Sequence, residues 1–225
     1  MSVEPAPHID ISPSHRLIVA LDVPNADAAR SLVEELGDVV QFYKIGLELS
    51  ASGSYFELLD WLVRRDKRVF ADLKLYDVPA TVAAAVRQIS NRGASFLTVH
   101  GDRSIMEAAV SEKGHLQILA VTVLTSMDSE DLRQMGIGLD VQTLVVQRAN
   151  LAMATGCDGV IASGLETAQL RETLGPEAII VTPGIRPASG RTEDDQKRIV
   201  TPGQALKNGA SFIVVGRPIR NALSP

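Results

Sequence analysis

One cysteine, Cys157, is the whole thiol content of 225 residues. A lone cysteine excludes an internal disulfide and any cysteine-based zinc site. Set in T-G-C-D-G-V, it reads as a small packing residue rather than a nucleophile. No apolar stretch reaches the ~20 residues a membrane span requires, so no membrane partner is expected. The opening residues, M-S-V-E-P-A-P-H-I-D-I-S-P-S-H, put no basic segment ahead of an apolar one. Neither a secretory nor a transit signal is read there; residues 1–15 are expected to form a loose arm, and the compartment is expected to be the cytoplasm. Positive charge is in deficit, 22 Lys and Arg against 27 Asp and Glu, for a formal net charge of -5. That balance argues against a nucleic-acid partner, while a local basic cluster can still hold a small anion. A G-x-G-x-x-G run is missing after the first strand, where V-A-L-D-V-P-N stands instead, which weighs against an open, doubly wound nucleotide fold. Linkers and low-complexity segments are absent too.

What is present is an alternation. Apolar residues form 45% of the chain and charged residues 22%, enough for one domain with a substantial core, placed over residues 16–225. R-L-I-V-A-L-D-V reads as a strand, after which Asn25 can cap a helix carrying Ala29, Leu32, Val33 and Leu36 and closed by Gly37. Q-F-Y-K-I-G-L is a second strand, followed by a helix with Phe56, Leu59, Leu62 and Val63 on one face. Further strands are read at Arg68–Leu75, S-F-L-T-V-H-G, Q-I-L-A-V-T-V-L, D-G-V-I-A-S-G, A-I-I-V-T-P-G-I and S-F-I-V-V-G-R-P, with helices between them. Eight apolar strands alternating with helices predict a parallel sheet covered by helices. Their count and the chain length favour a single-domain α/β fold, a closed (β/α)₈ TIM barrel. Pro225 follows strand eight closely, leaving little chain for a closing helix.

The stretch R-V-F-A-D-L-K-L-Y-D-V-P-A-T, Arg68 to Thr81, organises the rest. Asp72 and Lys74 interrupt a buried apolar run two residues apart, a spacing that puts both side chains on one face of a strand. Asp77 follows just past the strand end, and Pro79 opens a helix. Charges in a buried strand are costly unless paired. In a barrel the reactive face is the edge where strands end, and there the sequence supplies Asp22, Lys44, Asp72, Lys74, Asp77, Thr125, Ser126, Arg186, Gly216 and Arg217. Lys44, Asp72, Lys74 and Asp77 alternate in sign, so each can stay ionised in a confined site. T-P-G-I-R after strand seven and V-G-R-P after strand eight fit a phosphate cradle, with Arg217 offering a fork of donors and Pro218 beginning a short helix. His100, at the end of strand four, is read as structural.

Together these segments resemble the orotidine 5′-phosphate decarboxylase family. The likeness spans V-A-L-D, Y-K-I-G, D-L-K-L-Y-D-V-P-A-T, A-V-T-V-L-T-S-M, V-T-P-G-I-R-P, D-Q-K-R-I-V-T-P and V-V-G-R-P. The resemblance implies decarboxylation of a nucleotide, orotidine 5′-monophosphate, without cofactor or metal. It implies that Lys74 donates the proton, that Asp72 faces the departing carboxylate, and that Lys44 and Asp77 complete the array. It implies a homodimer, with Asp77 and Thr81 reaching the partner's site. Asp22 and Lys44 would hold ribose hydroxyls, and Ser126 with Thr125 would read the pyrimidine edge. Arg186, Gln196, Gly216 and Arg217 would bind phosphate, under a loop from Arg186 to Lys197. Two other readings stay open at this point. One is a magnesium-dependent sugar-phosphate decarboxylase or aldolase, because D-x-K-x-x-D is shared across that barrel superfamily. The other is a barrel that binds a phosphate ligand without catalysis.

Overall fold

The structure is a computed structural model, which describes residues 15–186 and 198–225. Of the arm expected over residues 1–15, all but His15 lies outside the described residues, as do Gln196 and the loop over 187–197. Eight strands form a closed parallel barrel in sequence order, with the first paired to the last. In chain order the elements are β1 (Leu17–Ala20), α1 (Ala26–Leu36), β2 (Phe42–Gly46), α2 (Leu47–Ala51), α3 (Tyr55–Val63), β3 (Arg68–Leu75), α4 (Pro79–Ser90) and β4 (Phe96–His100). They continue as α5 (Arg103–Ser111), β5 (Gln117–Val121), α6 (Ser129–Gln134), α7 (Val141–Thr155), β6 (Gly159–Ile161), α8 (Thr167–Leu174), β7 (Ile179–Thr182), α9 (Pro202–Lys207), β8 (Phe212–Val215) and α10 (Arg217–Arg220). Among the described residues no helix is long and apolar enough to cross a membrane.

Local chemistry sets the helix starts. The Asn25 carboxamide accepts from the Ala28 N–H at 2.9 Å, as the sequence predicts. Asp128 and Asp131 form a reciprocal capping box on α6, and Asp140 caps α7. Pro79 and Pro202 occupy first turns, where the missing N–H costs nothing.

Two apolar layers hold the barrel. Side chains facing the helices form one large core, from Val19 and Tyr43 to Val145 and Ile180, with a smaller separate cluster of Ile185, Ala205, Ala210, Ile213 and Val215 between β8 and α9. Inside the barrel, Phe42, Phe96 and Phe212 meet edge to face with centroids 5.0 to 5.7 Å apart. Each is the first residue of its strand, so together they plug the end of the barrel opposite the strand exits. The Arg68 guanidinium lies 4.1 Å from the Phe42 ring centroid on that plug.

Some boundaries differ from the sequence reading. In α3 the buried face is Tyr55, Leu58, Leu59 and Leu62, whereas Phe56 is exposed and carries the Arg92 guanidinium 4.6 Å above its ring. The apolar stripe therefore starts one residue earlier than expected, and a cation covers the aromatic ring left outside. Strand five stops at Val121 rather than Leu124. Beyond it the chain turns to build a cavity wall instead of extending the ladder. The short helix after β8 begins at Arg217 and has four residues.

Candidate active site

At the strand-exit edge, four charged side chains, from β2, β3 and the segment just past β1, form a continuous chain of contacts. Lys74 Nζ donates to Asp72 Oδ1 at 2.8 Å. Lys44 Nζ lies 3.6 Å from Asp72 Oδ2 and donates to Asp22 Oδ1 at 2.8 Å. Relative exposure of the side chain is 11% for Lys44, 13% for Asp72 and 29% for Lys74. Gly46 leaves room for the group; a Cβ there would lie 3.3 Å from Lys44 Nζ. Burial acts to raise the Asp72 pKa, but the Lys44 and Lys74 ammonium groups, with hydrogen bonds from Lys74 and Thr98, outweigh it and hold the carboxyl below its usual range. Burial acts to lower the Lys44 pKa, but Asp72 and Asp22 outweigh it and raise the value. Both groups are charged at neutral pH.

The backbone beneath this array is not a plain strand. The β3–β4 register shifts between Ala71 and Leu75, and Lys74 has φ 47. A lysine in the left-handed region carries about 1–3 kcal/mol of conformational cost, and such positions cluster where the surroundings over-determine them. Here Thr98 on β4 is the fixing group. Its Oγ1 accepts from the Lys74 N–H at 2.9 Å and donates to Asp72 Oδ1 at 2.9 Å. Thr98 is fully buried and was not singled out from sequence; its only signal was a hydroxyl inside the run S-F-L-T-V-H.

Next to the array opens a cavity of about 400 Å³. Of the residues expected at the site, it gathers Asp22, Lys44, Asp72 and Lys74 on one side. Thr125 and Ser126 line another part, and Arg186, Gly216 and Arg217 a third. Arg186 is buried, and its Nη1 donates to the Ile185 carbonyl at 2.8 Å. Pro183 and Gly184, from the T-P-G-I-R segment expected at the phosphate, line the cavity too, and so do Leu47, Glu48 and Arg220, which escaped the sequence reading. Arg220 stands three residues after Arg217 on α10, so the two share a helix face.

Asp77 and Thr81 are not part of this assembly within one chain. Both are exposed, and neither lines the cavity. Asp77 Oδ1 accepts from the Val78 N–H at 2.6 Å. The expected four-member array is therefore Lys44, Asp72 and Lys74 joined by Asp22, with Asp77 outside it. His100 also stays out of the cavity, its ring 4.7 Å from that of Tyr76. Burial lowers its pKa, helped by Arg148 and Lys74 and opposed by Asp102. Cys157 is buried, and burial pushes its thiol up to about 12; it packs, as expected. Among the described residues no three His, Cys, Asp or Glu side chains are grouped to hold a metal ion.

Residues 15–225 match the family described as "Orotidine 5′-phosphate decarboxylase / HUMPS family". A curated orotidine 5′-phosphate decarboxylase of Methylococcus capsulatus is 57% identical over 225 residues, covering 100% of this chain and 91% of that protein. One from Xanthomonas euvesicatoria pv. vesicatoria is 52% identical over 227 residues, covering 100% and 92%. Among solved structures, the orotidine 5′-phosphate decarboxylase from Lactobacillus acidophilus superposes with a TM-score of 0.82 at 34% identity, over 94% of each chain. An uncharacterized conserved protein from Geobacillus kaustophilus gives 0.80 at 30% identity, over 93% of this chain and 94% of that one.

Proposed function

This chain belongs to the orotidine 5′-phosphate decarboxylase / HUMPS family, and we propose that the Lys44–Asp72–Lys74 array is where it turns orotidine 5′-monophosphate into uridine 5′-monophosphate and carbon dioxide. The bond between the ring carbon and the carboxyl carbon breaks, and its electron pair stays on the ring carbon. Lys74 gives that carbon a proton from Nζ and regains one from solvent. Such a carbanion is poorly delocalised, so the barrier is high, and enzymes in general lower barriers by ~8–23 kcal/mol. A fixed ammonium at the developing charge, in a site partly closed to water, is the direct way to do so. Asp72 faces the departing carboxylate, while its two lysine partners and Thr98 keep it ionised and aimed.

Substrate binding follows the cavity walls. Asp22 and Lys44 hold the ribose hydroxyls, and Thr125 and Ser126 meet the pyrimidine edge. Arg186, Gly216 and Arg217 take the phosphate, with Gln196 from outside the described residues. Phosphate binding remote from the reacting carbon supplies energy that orients the ring against Lys74. Asp77 and Thr81 reach a second copy's site in a homodimer, which explains why they stand exposed beside the exposed apolar Tyr76 and Val78. The cytoplasm is the compartment, and no nucleic acid is involved.

The observation that carries this reading is the ammonium of Lys44 between two carboxylates, 2.8 Å from Asp22 and 3.6 Å from Asp72. A magnesium ion bridging those acids would have to displace it, which favours the metal-independent reaction over the aldolase-type alternative. The test is loss of orotidine 5′-monophosphate absorbance with chelator-treated protein. Turnover is expected without added metal. Activity seen only with magnesium, on a keto-sugar phosphate, would replace the proposal.

A further inference from the structure

The loops that leave β5, β6 and β7 meet around one guanidinium outside the cavity. Arg198 Nη1 donates to Glu166 Oε1 at 2.6 Å, and its Nη2 donates to the carbonyls of Val123 at 3.2 Å and Leu124 at 3.0 Å. The two charged side chains are only 10% and 6% exposed. Arg198 and Glu166 do not line the cavity, but Val123, Leu124, Thr125 and Ser126 all do.

The form of the pair is informative. Arginine and a carboxylate reach their strongest contact as a two-bond fork. Here Glu166 Oε2 and Arg198 Nε are buried with no hydrogen-bond partner among the described residues, and the second Nη is turned to backbone carbonyls instead. Burying this pair gains little stability by itself, so the arrangement is better explained by what it holds. Leu124 O accepts from the Met127 N–H at 2.9 Å as well, closing a turn whose middle residues are Thr125 and Ser126. Arg198 thus grips the first residue of that turn and the one before it. The preceding carbonyl, of Thr122, is held by Arg148 Nη1 at 2.6 Å. Arg198 is itself anchored, because Val200 exchanges backbone hydrogen bonds with Gly184 at 3.3 Å and Arg186 at 3.0 Å. Val200 also packs on Gly164 so closely that a Cβ there would come within 2.2 Å of its methyl group.

We infer that Arg198, oriented by Glu166, is a positioning residue that fixes the Thr125–Ser126 wall of the cavity and so sets affinity for the base of the substrate rather than for its phosphate. This rests on the assignment of that wall to the pyrimidine. A misplacement of about 1 Å at such a wall costs up to ~10²-fold in rate.

The experiment measures calorimetric binding of two probes, uridine 5′-monophosphate and ribose 5-phosphate, together with kcat and KM. Wild-type protein should bind the nucleotide more tightly than the sugar phosphate; equal affinities would sink the assignment of the wall, not the role of Arg198. Arg198→Met should weaken the nucleotide at least about tenfold and change the sugar phosphate less than about twofold. Equal weakening of both probes, or a fall in melting temperature with unchanged affinities, would make Arg198 a structural tie only and overturn the inference. Should Arg198→Met fail to fold, Glu166→Gln keeps the carbonyl contacts but loosens the guanidinium. It should shift the same ratio of affinities in the same direction by a smaller factor, and an unchanged ratio would count against the inference.

Discussion

The Lys74 ammonium reaches the Asp72 carboxylate at 2.8 Å from a residue that has left the strand conformation, with φ 47. Two residues of a regular strand would share a face with their side chains side by side. The bulge instead turns Lys74 back toward Asp72, and Thr98 locks the arrangement from the neighbouring strand. Backbone strain and reactive group coincide in one residue. Lys74→Ala should lose ~10²–10⁴-fold or more in kcat, the range for a lost general acid, while still binding uridine 5′-monophosphate. Lys74→Gly should be equally inactive but more stable than Lys74→Ala by about 1 kcal/mol, since glycine takes positive φ freely. Stopped assays and urea unfolding of the two variants decide this; equal stability would show that the backbone there is unstrained.

Thr98 serves both partners, so removing its hydroxyl while keeping its shape isolates that service. Thr98→Val leaves the Lys74 N–H without its acceptor and takes a donor from Asp72. The expected cost is about 1–3 kcal/mol of stability for the stranded polar group. A lower kcat with little change in KM is expected alongside, because the substrate's remote contacts are untouched. A rise in KM alone would place Thr98 in binding rather than in aiming the array.

The pH dependence of stability has two limbs with opposite signs. The Asp72 pKa is depressed from its ordinary 3.8, so its contribution is present above that value and is lost as pH falls through the lower, folded-state one. The Lys44 pKa is raised from 10.5, so its contribution is complete below that value and is lost as pH rises through the higher, folded-state one. Across the neutral range both stay constant. Asp72→Asn should therefore flatten the acid limb of unfolding free energy against pH, and Lys44→Met the alkaline limb. Parallel curves for wild type and Asp72→Asn below pH 4 would contradict the charge coupling.

Much of this was legible in the chain because each barrel strand is buried on both faces. Runs such as F-L-T-V and F-I-V-V, separated by capped helices, have few other ways to fold. The convergence of Asp22, Lys44, Asp72 and Lys74 followed from placing strand ends on one edge. What could not be read is what depends on register between distant segments. The bulge at Lys74 arises where β3 meets β4, so the partnership with Thr98 has no local signature. The Glu166–Arg198 pair joins residues 32 apart, and D-Q-K-R-I-V-T-P shows an arginine without its acceptor. Periodicity puts Phe56 on the core face because it cannot tell an apolar ring facing the core from one covered by Arg92.

The exposed stretch around Asp77 yields the most discriminating outcome. Tyr76, Val78 and Thr81 stand open beside it, and none of the charged array uses Asp77 within one chain. If Asp77 completes a second copy's site, Asp77→Ala and Lys74→Ala proteins are each close to inactive but defective in different sites of a mixed dimer. In such a dimer one site receives the intact Lys74 of one chain and the intact Asp77 of the other, while its twin receives neither. Random exchange of subunits across a two-fold interface makes half of the dimers mixed, so activity should return to about a quarter of the wild-type value. Sedimentation should show a dimer throughout, and Val78→Asp should shift it toward monomer with a parallel loss of turnover. Should mixing restore nothing while Asp77→Ala alone remains inactive, Asp77 would act within its own chain and the shared-site dimer would fall.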